Sequence, residues 1–195
     1  MKKRKNVTLE MPTEEQLQAE IQTHKYKKRY SNILRNTIYT LIVVASVAVI
    51  ISMMLMPVLQ IVGTSMSDSL EDGDIVISFS HADFETGDII AFYYNNNVLV
   101  KRVIAASGQW VDIDEEGNVY VDGVYVEEPY LGDKALGECD IELPYQVPEG
   151  RYFVMGDHRS TSIDSRSTVV GCVSDDMVIG KIAARIWPLS EMRTY

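Results

Sequence analysis

The chain has 195 residues, with 18 Lys/Arg against 28 Asp/Glu and a formal net charge of −10. That length suits one sizeable domain plus a membrane segment and leaves little room for two full domains. The acidic surplus argues against a nucleic-acid partner. The three histidines (His24, His81 and His158) and two cysteines show no metal-ligand spacing, so neither metal nor other cofactor is expected.

Charge divides the chain. Residues 1–36 carry nine Lys/Arg and four Glu, a net of +5, and the remainder nets −15. The segment "PTEEQLQAEIQTHKYKKRYSNILRN" opens with Thr13, and Gln16 three positions later completes a capping box. Leu17 and Ile21 fall at i, i+4, and basic residues crowd the later half. This reads as a cytoplasmic helix, either lying on anionic membrane lipid and leading into a span, or simply solvated.

No charged residue occurs from Asn36 to Ser67. Within that window "TIYTLIVVASVAVIISMMLMPVL", Thr37 to Leu59, is long enough to cross roughly 30 Å of hydrocarbon as a helix. The run is too long and too far from the start for a cleavable signal, and no small-x-small site closes it. An uncleaved anchor is expected. Lys25, Lys27, Lys28, Arg29 and Arg35 precede it, which puts the N-terminus in the cytoplasm and everything beyond Leu59 outside. The expected division is 1–36 cytoplasmic, 37–59 transmembrane and 60–195 extracytoplasmic. Cys139 and Cys172 then face a compartment where a disulfide can form; their spacing leaves both pairing and two separate thiols open.

After the anchor the pattern changes to strands. "DIVISF" (74–79) and "DIIAFYY" (88–94) are short and rich in β-branched and aromatic residues. Asn95-Asn96-Asn97 is a turn, and "VLVKRVIAA" returns from it as the second arm of a hairpin. "QWVDID", "NVYVDGVYVEEPY" with a tight turn at Asp122-Gly123, "RYFVMGD" and "MVIGKIAARIWP" continue the series. The fold class is mainly β: an antiparallel domain, sandwich or partial barrel, behind one membrane helix.

Three polar segments stand out. Ser65 lies in the bend "GTSMSDSL" that leaves the apolar run, where a serine is ordinarily a turn or cap residue and attacks nothing without a base. Lys101 shares a strand face with Leu99 and Val103, so burial there would favour its neutral amine. Arg102 cannot do the same, since guanidinium stays protonated. Taken alone, Lys101 reads rather as a lysine snorkelling to the sheet edge. "MGDHRSTSIDSR" (155–166) is a polar surface loop by composition, yet Asp164 with Arg166, and Asp157 with Arg159, offer charge-assisted braces.

In this order after a membrane span, the segments resemble the type I signal peptidases of bacteria. "GTSMSDSL" with Ser65-Met66 is similar to the nucleophile box and "LEDGDIV" follows as in the family. "VKRVI" is similar to the general-base box, and "GDHRSTSIDSR" to a Gly-Asp-Asn-Arg…Ser-x-Asp-Ser-Arg box; "GKIAARIWP" is similar to the closing strand. The resemblance covers about residues 60–188.

It implies a membrane-bound serine endopeptidase that removes signal peptides from secretory preproteins, near the secretion translocon, by cutting after small residues. It assigns Ser65 as nucleophile, Lys101 as neutral general base and Ser162 as the residue orienting the lysine amine. Asp157, Asp164 and Arg166 become supports of the loop, and the Ser65 N–H an oxyanion donor. Met66, Leu99 and Val103 are the candidates for the substrate pocket.

The chain departs from the family at four places. Asp68 and Ser69 stand where Pro and Thr are common, Gly63 carries no hydroxyl, His158 replaces Asn, and the stretch from Arg166 to Gly171 is longer. Asp68 would loosen the turn or, if close, raise the Lys101 pKa. The competing readings are a catalytically silent assembly factor for surface proteins, a soluble self-cleaving Ser/Lys repressor-type protease, and a single-span adhesion scaffold.

Overall fold

The computed structural model describes residues 11–80 and 82–195; the basic residues at 2–5 and His81 lie outside that range. The chain divides into two compact units between Ile50 and Ile51.

One helix, α1, runs without interruption over Glu14–Leu55, 42 residues, so the basic segment and the apolar run are a single element about 63 Å long. Half of the expected capping box is present: the Thr13 N–H donates to Gln16 Oε1 at 3.1 Å. Glu14 and Glu15 in the first turn favour the positive end of the helix dipole. No residue of α1 is buried, and its apolar part is long and hydrophobic enough to cross a membrane. Pro57 ends it, because proline lacks the N–H that the next turn needs.

The helix stops four residues short of the expected span end at Leu59. Strand β1 (Val58–Gln60) begins there, and the Leu55 and Pro57 carbonyls accept the Ser80 and Ser78 N–H groups at 3.1 and 3.0 Å. A chain entering a sheet needs ladder partners for its backbone, and β1 finds them on β2 (Ile75–Phe79).

The remaining strands are β3 (Ile89–Tyr94), β4 (Asn97–Ala105), β5 (Trp110–Ile113), β6 (Val119–Val121), β7 (Val124–Tyr125), β8 (Tyr145–Gln146), β9 (Arg151–Met155), β10 (Val173–Ser174), β11 (Val178–Trp187) and β12 (Arg193–Thr194). The pairs within the sheets are antiparallel. One sheet has the order β1-β2-β11-β3-β4-β9-β10, with β12 also on β11; the other has the order β7-β6-β5-β8. The β3–β4 hairpin closes through Asn95 and Asn96, with φ of 45° and 63°, values that asparagine tolerates better than most residues.

Three apolar clusters hold the β unit. Ile104, Val111, Ile113, Val119, Phe153 and Met155 form the one that includes both sheets. Ile61, Met66, Leu70, Val76, Ile89 and Ile182 pack under the bend after β1. Ile90, Phe92, Val103, Val154 and Val173 form the third. A fully buried side chain such as Phe92 or Phe153 contributes on the order of 2–3 kcal/mol.

Cys139 and Cys172 are free thiols. Cys172 lies in the first cluster, where burial pushes its thiol up to about 11.

Candidate active site

Ser65 sits at the start of a tight turn. The Ser67 N–H donates to Thr64 O at 3.1 Å, and the Ser69 and Leu70 N–H groups donate to Met66 O at 2.8 and 2.6 Å. Met66 and Leu70, four apart on this helical turn, point into the second cluster and pin it to the sheet. The Asp72 carboxylate accepts the Gly63 N–H at 2.7 Å and steadies the approach. The "LEDGDIV" segment therefore returns the chain to β2 while holding the entry to the nucleophile bend.

Lys101 lies in the middle of β4, 3% exposed, with Nζ 2.6 Å from Ser65 Oγ. Burial lowers its pKa to about 8; Asp164 opposes this, Arg166 reinforces it, and Asp157 opposes it again. At pH 7 roughly a tenth of such amines are neutral, against fewer than one in a thousand for an ordinary lysine.

The loop after β9 braces the pair. The buried Asp164 and Arg166 form a two-bond ion pair at 2.9 and 2.8 Å. Arg166 also donates to the carbonyls of Leu136, Arg159 and Ser162. Burial alone would raise the Asp164 pKa, but the Arg166 bonds and charge and the Gly156 N–H hold it below its ordinary value. Gly156 is required for close approach: a Cβ there would lie 2.5 Å from the Ser65 carbonyl oxygen and from Ser162 Cβ.

Ser162 is buried beside this glycine, but its hydroxyl makes no hydrogen bond among the described residues. The expected bond to the Lys101 amine is not formed in this state.

Several expectations change. Asp157 pairs with Arg102 rather than Arg159, through bonds of 2.9 and 2.6 Å. Arg159 pairs instead with the buried Glu128. Arg102, on β4, also donates to Gly87 O and Ser69 Oγ, which holds its guanidinium toward Asp157. Asp68 neither loosens the turn nor figures among the charges acting on Lys101; its carboxylate accepts the Gly132 N–H at 2.8 Å and ties a second loop to the turn. Val103 is no pocket residue. It packs in the third cluster, 1% exposed, while Met66 and Leu99 line a groove of about 460 Å³ with Ser65, Lys101, Leu59 and Val62.

A larger cleft, about 610 Å³, lies at Asp83, Asp175 and Asp176 and contains none of the expected site residues.

Sequence reasoning missed Glu128, Tyr130 and Tyr195. Tyr130 lies under the Arg102 guanidinium, 3.7 Å from ring centre to Cζ, and donates to Glu128 at 2.7 Å. "EEPY" gives charge and an aromatic ring but no hint of their partners. Tyr195 donates to the Ser69 carbonyl at 2.7 Å from the far side of the turn. Tyr195→Phe should lower the unfolding free energy by about 1 kcal/mol in urea titrations; an unchanged midpoint would show that this bond adds nothing.

The family model described as "Signal peptidase, peptidase S26" matches residues 34–187. Signal peptidase IB of Staphylococcus aureus (strain Mu50 / ATCC 700699) is 34% identical over 151 residues, 67% of this chain and 78% of that protein. Signal peptidase I of Bacillus licheniformis is 30% identical over 184 residues, covering 88% and 98%. A crystal structure of a signal peptidase I from Enterococcus faecalis V583 aligns with 31% identity, 51% of this chain, 97% of that chain and a TM-score of 0.42. The class is that of serine endopeptidases. Within it, the chain belongs to the S26 signal peptidase family, as a bacterial type I member.

Proposed function

We propose that the protein is a membrane-bound endopeptidase that removes N-terminal signal peptides from exported preproteins, with Ser65 as nucleophile and Lys101 as general base. The observation that carries this reading is the buried 2.6 Å approach of Lys101 Nζ to Ser65 Oγ beside an open groove.

The neutral Lys101 amine takes the Ser65 hydroxyl proton as Oγ attacks the scissile carbonyl carbon. The developing oxyanion meets the Ser65 N–H, which has no other partner among the described residues. Collapse breaks the C–N bond, the lysine proton goes to the leaving amine, and an acyl ester forms on Ser65. Water, deprotonated by the same amine, then releases the signal peptide as a carboxylate. Asp164, Arg166 and Asp157 hold the loop around the lysine. Ser162, buried with its hydroxyl unpaired among the described residues, is left to orient the amine.

Residues 1–36 lie in the cytoplasm, the apolar half of α1 crosses the cell membrane, and the β unit from about residue 60 faces outward. Ser65 follows the helix end by ten residues, a spacing that supports reacting groups close to where a membrane-inserted signal peptide emerges, with the enzyme working near the secretion translocon. Met66 and Leu99 give shallow apolar walls suited to small side chains at the cleavage site.

The test is cleavage of a preprotein with an Ala-x-Ala site by the detergent-solubilised full chain, with the new N-terminus read by mass spectrometry. Cleavage after the second Ala is expected. Since only the neutral amine acts as base, kcat/KM should climb about tenfold per pH step below pH 8 and level off above it. A flat profile from pH 6 to 9 would rule out Lys101 as base, and folded protein that cleaves no preprotein would favour the silent assembly factor.

A further inference from the structure

We propose that His158 is a positioning residue that aims the oxyanion-binding N–H of Ser65, an inference that rests on Ser65 being the nucleophile. His158 touches both peptide groups flanking Ser65, adding to the turn bond by which the Ser67 N–H already donates to the Thr64 carbonyl at 3.1 Å. His158 Nδ1 lies 3.3 Å from the Thr64 carbonyl oxygen, and the His158 backbone N–H donates to the Ser65 carbonyl at 3.1 Å.

A trans peptide points its C=O and N–H to opposite sides. Fixing the Thr64 carbonyl therefore fixes the direction of the Ser65 N–H. A donor on that carbonyl also polarises the peptide group and makes its N–H the stronger hydrogen-bond donor. With the ring proton on Nδ1, His158 shares that N–H between two acceptors, Thr64 O and Ser67 Oγ, the latter 3.0 Å from the same nitrogen.

The backbone under His158 is rigid for a separate reason. Its neighbours on either side, Asp157 and Arg159, are locked into the buried pairs with Arg102 and Glu128. The Asp157 N–H also donates to Met66 Sδ at 3.4 Å, in the turn itself. The loop and the nucleophile turn thus move as one body, and the imidazole is the part of the loop that reaches past Ser65 to the preceding peptide.

The experiment compares the full-length wild type, Ser65→Ala, His158→Ala, His158→Asn and His158→Gln on the same preprotein, with a peptide aldehyde of matching sequence as inhibitor. The aldehyde forms a tetrahedral adduct on the serine and reports oxyanion binding directly. The side-chain nitrogen of Asn sits where Nδ1 sits, and that of Gln sits farther out. His158→Ala should lose roughly ten- to a hundredfold in kcat with KM within about twofold, because the oxyanion donor is misaimed while the groove is untouched. The aldehyde should weaken by the same factor as kcat/KM, and His158→Asn should restore most of the loss while His158→Gln should not.

Equal kcat for wild type and His158→Ala overturns the proposal. So does a loss carried by KM, an unweakened aldehyde, or equal activity of the Asn and Gln variants. If His158→Ala fails to fold, the Asn and Gln pair decides. Wild type that does not cleave, or Ser65→Ala that does, removes the nucleophile itself and is seen before any His158 variant is compared.

Discussion

Ser65→Ala and Lys101→Met should each lower kcat by about 10⁴-fold or more, and the double variant should be no slower than either single one, because the two side chains act as a unit. Lys101→Arg should be equally inactive, since guanidinium does not give up its proton near neutral pH. The lysine variant carries a second signature. In the folded chain the amine titrates at about 8 against an ordinary 10.5, so below pH 8 the wild type holds a buried ammonium that the unfolded chain holds in water. Between those two values the unfolded state binds more protons, and wild-type stability rises with pH. Lys101→Met should therefore be the more stable protein at pH 7, by up to about 3 kcal/mol, with the gap closing as pH rises toward 10.5. Paired urea titrations at pH 7 and pH 10 measure this. A lysine variant less stable than wild type at pH 7 would mean that Lys101 is held as a structural partner and not as a strained base.

The second large effect is on folding. Asp164 and Arg166 are 1% and 0% exposed, so Asp164→Ala leaves a buried guanidinium without its counter-charge and should cost about 3–5 kcal/mol of stability. Replacing both by apolar residues should cost less than the sum of the single changes, because the partners share one interaction. The milder Asp164→Asn also tests the electrostatics around the base. Asp164 favours the Lys101 ammonium, so its neutralisation should move the rising limb of the pH–rate profile to lower pH. An unfolding change below 1 kcal/mol for Asp164→Ala, or a limb displaced upward for Asp164→Asn, would contradict the arrangement described.

The segments of the candidate site were legible only as an ordered set that resembles a family; each is a local stretch, but nothing in their spacing brings Lys101 to Ser65, 36 positions away. The turn at Ser65, the β4 strand with Lys101 and the Asp164–Arg166 brace each involve residues close in sequence, and the hairpin at Asn95-Asn96 fixes the register that brings Lys101 inward. Long-range partners were not legible. Asp157 is two residues from Arg159, yet it reaches Arg102, 55 positions away, because a loop's side chains face whichever strand it packs on. Val103 follows the Lys101 alternation, but it stands opposite Val154 of β9 and packs with it in the third cluster, inside the core. The end of α1 was misjudged by four residues for a similar reason: hydropathy does not distinguish the last turn of an apolar helix from an apolar edge strand. Glu128 and Tyr195 act through distant backbone and side-chain partners that no spacing announces.

The groove beside Ser65 has an unusual pair of walls. Strand β1 pairs only with β2, leaving its outer edge open. Strand β4 meets β9 only from Arg102 onward, so Asn97 to Lys101 are open on that side too. An extended chain entering between them is met first by rows of main-chain donors and acceptors, groups that every peptide can satisfy alike. Discrimination is then left to the few side chains that line the groove, Met66 and Leu99 among them. Such a cleft reads posture more than spelling: it suits any segment that arrives unfolded and extended.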